Sequence, residues 1–316
     1  MVVETRSLVT CSRVVHKSDI CSGKEDKMKY QELDGTICEK ENSQDKLLKT
    51  LYTTVWGRIV LKPLVQPVFS ILCGKFLDSR FSRWMIQPFI RGTGIDMTPY
   101  KKCRYNCYND FFTREIKTGE RLIDRRENVL ISPSDGKVLA YKIDENSCFE
   151  IKHSRYSLEQ LLDNKKLAER FLGGYAVIIR LSVEDYHRYC YPASGYKSCN
   201  YYIPGKFHTV NPIAVESVPV FKQNAREYTL LKTRMFGTLI QMEVGALMVG
   251  RICNKKEEGS VQKGQEKGYF EFGGSTIILL IQKDKIVLKE KFLRNTEKEI
   301  ETKIQMGQEL GKSSQN

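Results

Sequence analysis

The chain has 316 residues, 41% hydrophobic and 28% charged, a globular composition that excludes a disordered or collagen-like polymer. Lys plus Arg number 51 against 38 Asp plus Glu, a net charge of +13 that favours an anionic partner without choosing among nucleic acid, membrane and acidic substrate. No apolar run reaches the roughly 18 residues of a membrane-spanning helix.

Ten cysteines lie far apart at irregular spacings, and residues 1–19 carry Glu4 early with no apolar core run. No secretory signal is expected, and the cysteines are expected to be reduced thiols in an intracellular setting. Cys103 and Cys107 are the closest pair, with no second pair or His pattern nearby, so structural thiols are expected there and no metal site.

In chain order, residues 1–46 are polar and aperiodic and are expected to be a poorly ordered extension. Residues 47–110 form a helical, basic and aromatic region. There Trp56, Ile59, Val60, Leu64, Phe69, Leu72, Phe76, Phe81, Trp84, Phe89 and Ile90 recur at helical spacing, and Pro63, Pro67 and Pro88 divide the pattern into short helices. Over 51–92 the only acid is Asp78, against the bases Arg58, Lys62, Lys75, Arg80, Arg83 and Arg91. Such faces suit an anionic membrane surface, but by spacing alone packing on the rest of the protein is the favoured reading.

Residues 111–316 form a strand-rich core. The pattern predicts a strand–turn–strand over 129–143 with the turn at Ser132-Pro133-Ser134-Asp135-Gly136, and a helix over 157–172 opened by a Ser157/Gln160 capping box. Further strands are predicted over 175–183, 238–244, 246–253, 269–272 and 276–281, with a charged loop over 254–267. Helices first and strands afterwards argue for an α+β fold.

Three places could carry chemistry. Gly273-Gly274-Ser275 precedes an apolar strand; the glycines permit a backbone from which a serine could attack its own preceding carbonyl, although taken alone the pattern favours a glycine bulge before an ordinary strand. Asp135-Gly136 is ordinary turn chemistry or a placed acid. His187, beside Arg188 and near Cys190 at a strand end, is an acid–base candidate.

In order along the chain, Asn109-Asp110-Phe111-Phe112-Thr113-Arg114, Ser134-Asp135-Gly136-Lys137-Val138, Asp185-Tyr186-His187-Arg188-Tyr189-Cys190-Tyr191-Pro192, Asn211-Pro212, Glu243 to Gly250, and Lys267 to Thr276 resemble the phosphatidylserine decarboxylase proenzymes. The resemblance covers about 51–311. It implies self-cleavage between Gly274 and Ser275 into a β chain (1–274) and an α chain (275–316), with Ser275 becoming a covalent pyruvoyl group. It further implies decarboxylation of phosphatidylserine to phosphatidylethanolamine and CO2, through a Schiff base between that group and the substrate amine, with no metal or dissociable cofactor. Carried over by position, Ser275 is the nucleophile and pyruvoyl precursor, Asp135 orients the processing base, and His187 serves decarboxylation as proton donor or positioning group.

The chain departs from the family where Cys190 stands in place of the second His, the processing base. Three alternatives stand: His187 serves both steps, Cys190 acts as an unusual base, or the chain does not mature. His208 is a further, less suited substitute base. The resemblance turns the 47–110 region into membrane-facing helices before a mainly antiparallel catalytic core. The expected partners are an anionic phospholipid membrane and phosphatidylserine, at the cytoplasmic face as a peripheral protein; a homodimer rests on the resemblance alone. A non-processing lipid-binding relative is the alternative, and a nucleic-acid binder is set aside because its bases form no stripe.

Overall fold

The computed structural model describes residues 28–40, 50–101, 104–144, 148–151, 154–209, 220–246, 251–255, 258–271, 273 and 275–314. Among the described residues eleven strands make one sheet, whose centre runs in space Arg226–Thr233, Thr238–Val244, Ser275–Ile281, Tyr175–Leu181 and Gly136–Lys142. Beyond Gly136–Lys142 lie Glu301–Ile304 and then the strands Met28–Gln31 and Ile37–Lys40. All named pairs in this sheet are antiparallel except Met28–Gln31 against Glu301–Ile304.

Thr238–Val244 and Ser275–Ile281 are buried at every position because both faces of the sheet are covered. Alternate side chains therefore enter different cores, and the strands read as unbroken apolar runs. Ile240, Met242, Ile278 and Leu280 pack with Leu161, Phe171 and Phe221 of the helical layer. Leu239, Ile277, Leu279 and Ile281 pack with Tyr189, Tyr191, Phe270 and Phe292 on the other side. Each such aliphatic side chain contributes on the order of 1.5–3 kcal/mol of burial.

The α+β class and the antiparallel core agree with the sequence; several local expectations are corrected. The helix predicted over 157–172 is two short helices, Leu158–Leu162 and Lys165–Glu169, because Asp163 takes a left-handed φ of 51° between them. Ser157 makes no side-chain capping hydrogen bond. Val129–Ile131 and Gly136–Lys142 are not a hairpin: the first pairs with Glu309–Ser313 in a three-stranded sheet, the second with the main sheet. Within the predicted 254–267 loop, Gly259–Val261 is a strand on Gly195–Lys197. Within the predicted poorly ordered extension, residues 28–40 form a hairpin turned at Asp34-Gly35, where Gly35 has φ 92° and Asp34 accepts from the Thr36 N–H. Residues 1–27 and 41–49 lie outside the described residues, as does Cys103.

The 51–92 segment forms the helices Val55–Leu64, Pro67–Asp78 and Ile86–Thr93, with a 3-10 turn at Arg80–Met85. Pro63 is carried inside the first helix, and Pro67 opens the second, where its missing N–H costs nothing. Trp56, Phe81 and Trp84 are 79%, 82% and 71% exposed, and the flanking Ile59, Val60, Val68, Ile71 and Leu72 are exposed with them. No single described helix is long and apolar enough to cross a membrane, although Val55–Leu64 and Val68–Asp78, bent by 63°, meet that measure as a pair.

Candidate active site

Strand register gathers the candidates at one end of the sheet. Ser275 stands opposite Leu181, and Lys137 opposite Arg180 on the other side of the same strand. Asp135, just before Gly136, and the 182–187 connection that leaves Leu181 therefore lie at the edge where Ser275 opens its strand. Gly136 is required here: its φ is 149°, and a Cβ would meet the Arg180 carbonyl oxygen at 2.7 Å.

Ser275 is buried, and its Oγ donates to the Gly273 carbonyl at 3.4 Å. Gly273 has φ 140°, a conformation that side chains resist. Gly274, the other half of the expected cleavage pair, lies outside the described residues.

His187 follows at the end of the 182–187 connection and is fully buried. Its Nδ1 lies 2.9 Å from the Asp185 carbonyl oxygen. A carbonyl can only accept, so Nδ1 carries the proton and Nε2 carries the lone pair. Nε2 makes no hydrogen bond among the described residues, although the Gly273 backbone is near enough to favour the protonated ring. Burial pushes the imidazole down to about 3; the Asp185 carbonyl opposes this, and the Arg114 cation adds to it. At neutral pH the ring is uncharged. Phe112 covers it at a centroid distance of 4.2 Å.

Arg114 ends the turn after helix Tyr108–Phe112 and is also buried. Its Nη2 donates to the Glu184 carbonyl at 3.1 Å, the Asp185 carbonyl at 3.4 Å and the Tyr100 hydroxyl at 3.4 Å. The Tyr100 ring lies 4.4 Å from Cζ, and Nε and Nη1 have no partner among the described residues. No carboxylate is among these partners, an expensive state for a buried cation.

Cys190, in strand Arg188–Cys190, is buried with its N–H on the Pro133 carbonyl at 2.8 Å. Burial pushes its thiol up to about 12, with the Asp135 and Glu266 charges acting in the same direction. At neutral pH it is the uncharged thiol. Asp135 is held by Arg121, whose Nε reaches Oδ1 at 3.0 Å and whose Nη2 reaches Oδ2 at 2.5 Å, and by the Met306 N–H at 2.8 Å. Its partners among the described residues are thus a guanidinium and a backbone amide, where the resemblance called for an imidazole. His208 sits beside Tyr52 and Asn224, and none of the other candidates is among its contacts.

The sequence reading missed Arg121 as the partner of Asp135 and Asp185 as the support of His187. Arg121 lies in an irregular, charged stretch with no periodicity to single it out. Asp185 had a usable signal, standing two residues before His187 at a strand end. It is half-buried, accepts from the Ser182 N–H at 2.7 Å and is raised to about 6, chiefly by loss of solvation.

A profile of the family described as phosphatidylserine decarboxylase matches residues 108–312. The chain belongs to the phosphatidylserine decarboxylase family. It is 43% identical over 268 residues to phosphatidylserine decarboxylase proenzyme 2 of Clostridium acetobutylicum, covering 84% of this chain and 92% of that one. It is 40% identical over 283 residues to the phosphatidylserine decarboxylase proenzyme of Fusobacterium nucleatum, covering 88% and 94%. The Clostridium tetani proenzyme is likewise 40% identical, over 85% of this chain and 93% of its own. The matched segment contains Arg114, Asp135, His187, Cys190 and Ser275, so every candidate lies within the family's common region.

Proposed function

We propose that this chain is a self-processing phosphatidylserine decarboxylase in which His187 is the base for cleavage at Ser275. The observation that carries it is the convergence on Gly273: Ser275 Oγ donates to its carbonyl, and the neutral His187, its Nε2 without a partner among the described residues, faces the same backbone. In the cleavage, Nε2 takes the Oγ proton as the oxygen attacks the Gly274 carbonyl carbon, and the amide becomes an ester. Loss of the Ser275 Cα proton breaks the Cβ–O bond, releasing the Gly274 carboxylate. Water then replaces the nitrogen of the resulting enamine, giving ammonia and a pyruvoyl terminus.

Ser275 fits such a group. It is buried at the start of a central strand, so its product would be shielded from water and fixed in direction. The pyruvoyl carbonyl supplies the electron withdrawal that the departing CO2 requires. Around it, the Phe112 ring and the strand walls exclude water, while His187 Nε2 is available to hold the proton that replaces the lost carboxylate. Cys190, an uncharged thiol at this depth, is read as packing.

The exposed apolar side chains of 55–84, interleaved with Arg58, Lys62, Lys75, Arg80 and Arg83, are proposed to dock on an anionic bilayer at the cytoplasmic face. Each base near such a surface adds on the order of 1 kcal/mol. The test of the whole reading is an intact mass under denaturing conditions, followed by a CO2 assay on phosphatidylserine vesicles. A fragment of residues 275–316 with a blocked, hydroxylamine-reactive terminus is expected. A single uncut chain that releases no CO2 would overturn the reading.

A further inference from the structure

Between the exposed aromatic residues and the buried site lies a cavity of about 720 Å³, within the usual range for a ligand pocket. Four bases line it, Arg83, Lys101, Arg104 and Lys117, and no acid is among its described lining residues. Lys101 has its charge met by Glu115, and the Lys117 ammonium donates to the Thr98 carbonyl at 2.5 Å. Arg83 and Arg104 have no ion pair among the described residues. Met97 and Tyr100 supply an apolar wall.

The position of this cavity matters as much as its charge. Its outer rim comes from Arg80–Met85, the turn that carries Phe81 and Trp84 outward, and from the helix Ile86–Thr93 that follows it. Its inner wall is Tyr100, stacked on Arg114, and Arg114 shares the Asp185 carbonyl with His187. An unbroken series of contacts therefore joins the cavity to the imidazole. Along it stands a buried guanidinium with two nitrogens that have no partner among the described residues.

We propose that this cavity is the seat of a lipid phosphodiester, with Arg83 and Arg104 as its cationic ligands and Arg114 behind Tyr100 as an inner positive charge that draws the headgroup toward His187. The inference rests on the decarboxylase reading and names where that substrate is held. A phosphodiester suits these groups better than the serine carboxylate does. A guanidinium on the carboxylate would stabilise the very group that must leave as uncharged CO2, and so slow the reaction. On the phosphate it binds ground state and transition state alike and serves to position.

The experiment measures binding of monomeric dihexanoyl phosphatidylserine to the full chain by calorimetry, for wild type and for the Arg83→Gln/Arg104→Gln pair. Charge-assisted hydrogen bonds of this kind predict a loss of about 10- to 100-fold in affinity. In turnover the same loss falls on KM more than on kcat. Because calorimetry needs no catalysis, failure of the enzymatic reading and failure of this site are read separately. Unchanged affinity in the pair overturns the proposal. So does inorganic phosphate binding as tightly as the lipid, which would mark a site for the free anion. If the pair does not fold, Lys101→Gln decides, since that side chain is 54% exposed: a several-fold loss supports the site, and no loss overturns it.

Discussion

Arg114 and His187 hold the same acceptor: the Asp185 carbonyl lies 2.9 Å from His187 Nδ1 and 3.4 Å from Arg114 Nη2. The shared oxygen fixes the imidazole tautomer, while the cation beside it opposes a second proton on the ring. The arrangement gives a base with its lone pair at Nε2 over a wide pH range, at the cost of weak basicity.

On the proposed mechanism, that weakness would set the pH dependence of self-cleavage. With His187 as base and its pKa near 3, the rate should be nearly flat from about pH 8 down to about pH 5, because the ring stays neutral throughout. A thiolate base at Cys190, raised to about 12, would instead make the rate climb about tenfold per pH unit through the alkaline range. Following the cleaved fraction by denaturing mass spectrometry at a series of pH values separates the two. Cys190→Ala should mature within a few-fold of wild type, whereas His187→Gln should leave the chain intact.

Placing at position 190 the imidazole that the family resemblance calls for should speed cleavage. Cys190→His brings a ring toward the Asp135 charge, which already acts on the thiol. A well-placed general base is worth about 10²–10⁴ in rate, set against roughly 1–3 kcal/mol for overfilling a packed position. The expected result is faster maturation with a lowered melting temperature. Slower maturation in a folded variant would argue against any base at that position.

Stability should fall on acidification through His187. Its pKa drops from 6.5 unfolded to about 3 folded, so the unfolded chain binds the extra proton between those values. The contribution is complete above about pH 6.5 and is lost as pH falls toward 3. Asp185 works in the opposite sense: raised from 3.8 to about 6, it favours the folded state at low pH and loses that contribution as pH rises through this window. Urea unfolding across pH 4–7 should show a shallower acid decline in His187→Gln than in wild type.

Arg121→Met should destabilise by about 3–5 kcal/mol, because it strands the Asp135 carboxylate at low exposure with only the Met306 amide left. Arg121→Met with Asp135→Asn should recover much of that loss. Equal destabilisation in the single and double variants would show that the pair is not coupled.

Vesicle binding should depend on the exposed rings. Trp56→Ser with Trp84→Ser is expected to weaken sedimentation with phosphatidylserine-containing vesicles at least about tenfold, given the apolar area each ring would bury. Raising salt should weaken it further by screening the interleaved bases. Binding that is unaffected by both would return these faces to a role in protein packing.

The sheet was legible where burial is two-sided, because runs such as Ser275–Ile281 admit no other reading. It was obscured where a backbone conformation decides: Asp163 splits a helix that Leu158, Leu161, Leu162 and Phe171 describe as one. Ser275, His187 and Asp135 were found because glycines, a rare histidine and a turn marked them. Arg121 acts through a side-chain contact to Asp135, 14 residues away, where local pattern carries no trace, whereas Asp185 acts locally, on Ser182 and His187, and its place two residues before the histidine was the signal passed over. The Cys190 substitution was visible in the sequence, but its consequence depended on depth, which only the packing reveals.

Ser275 opens a strand held on one side by Thr238–Val244 and on the other by Tyr175–Leu181. A cut before it would not create a new surface strand or a detachable tail. It would leave Ser275–Ile281 threaded through the middle of the sheet, its ladders intact on both flanks, so the two products could part only by global unfolding. The same placement makes the break conditional. Until both neighbouring strands have docked, nothing aims the serine, so a chain that has misfolded would stay whole, and the uncut fraction in a preparation would count its misassembled molecules.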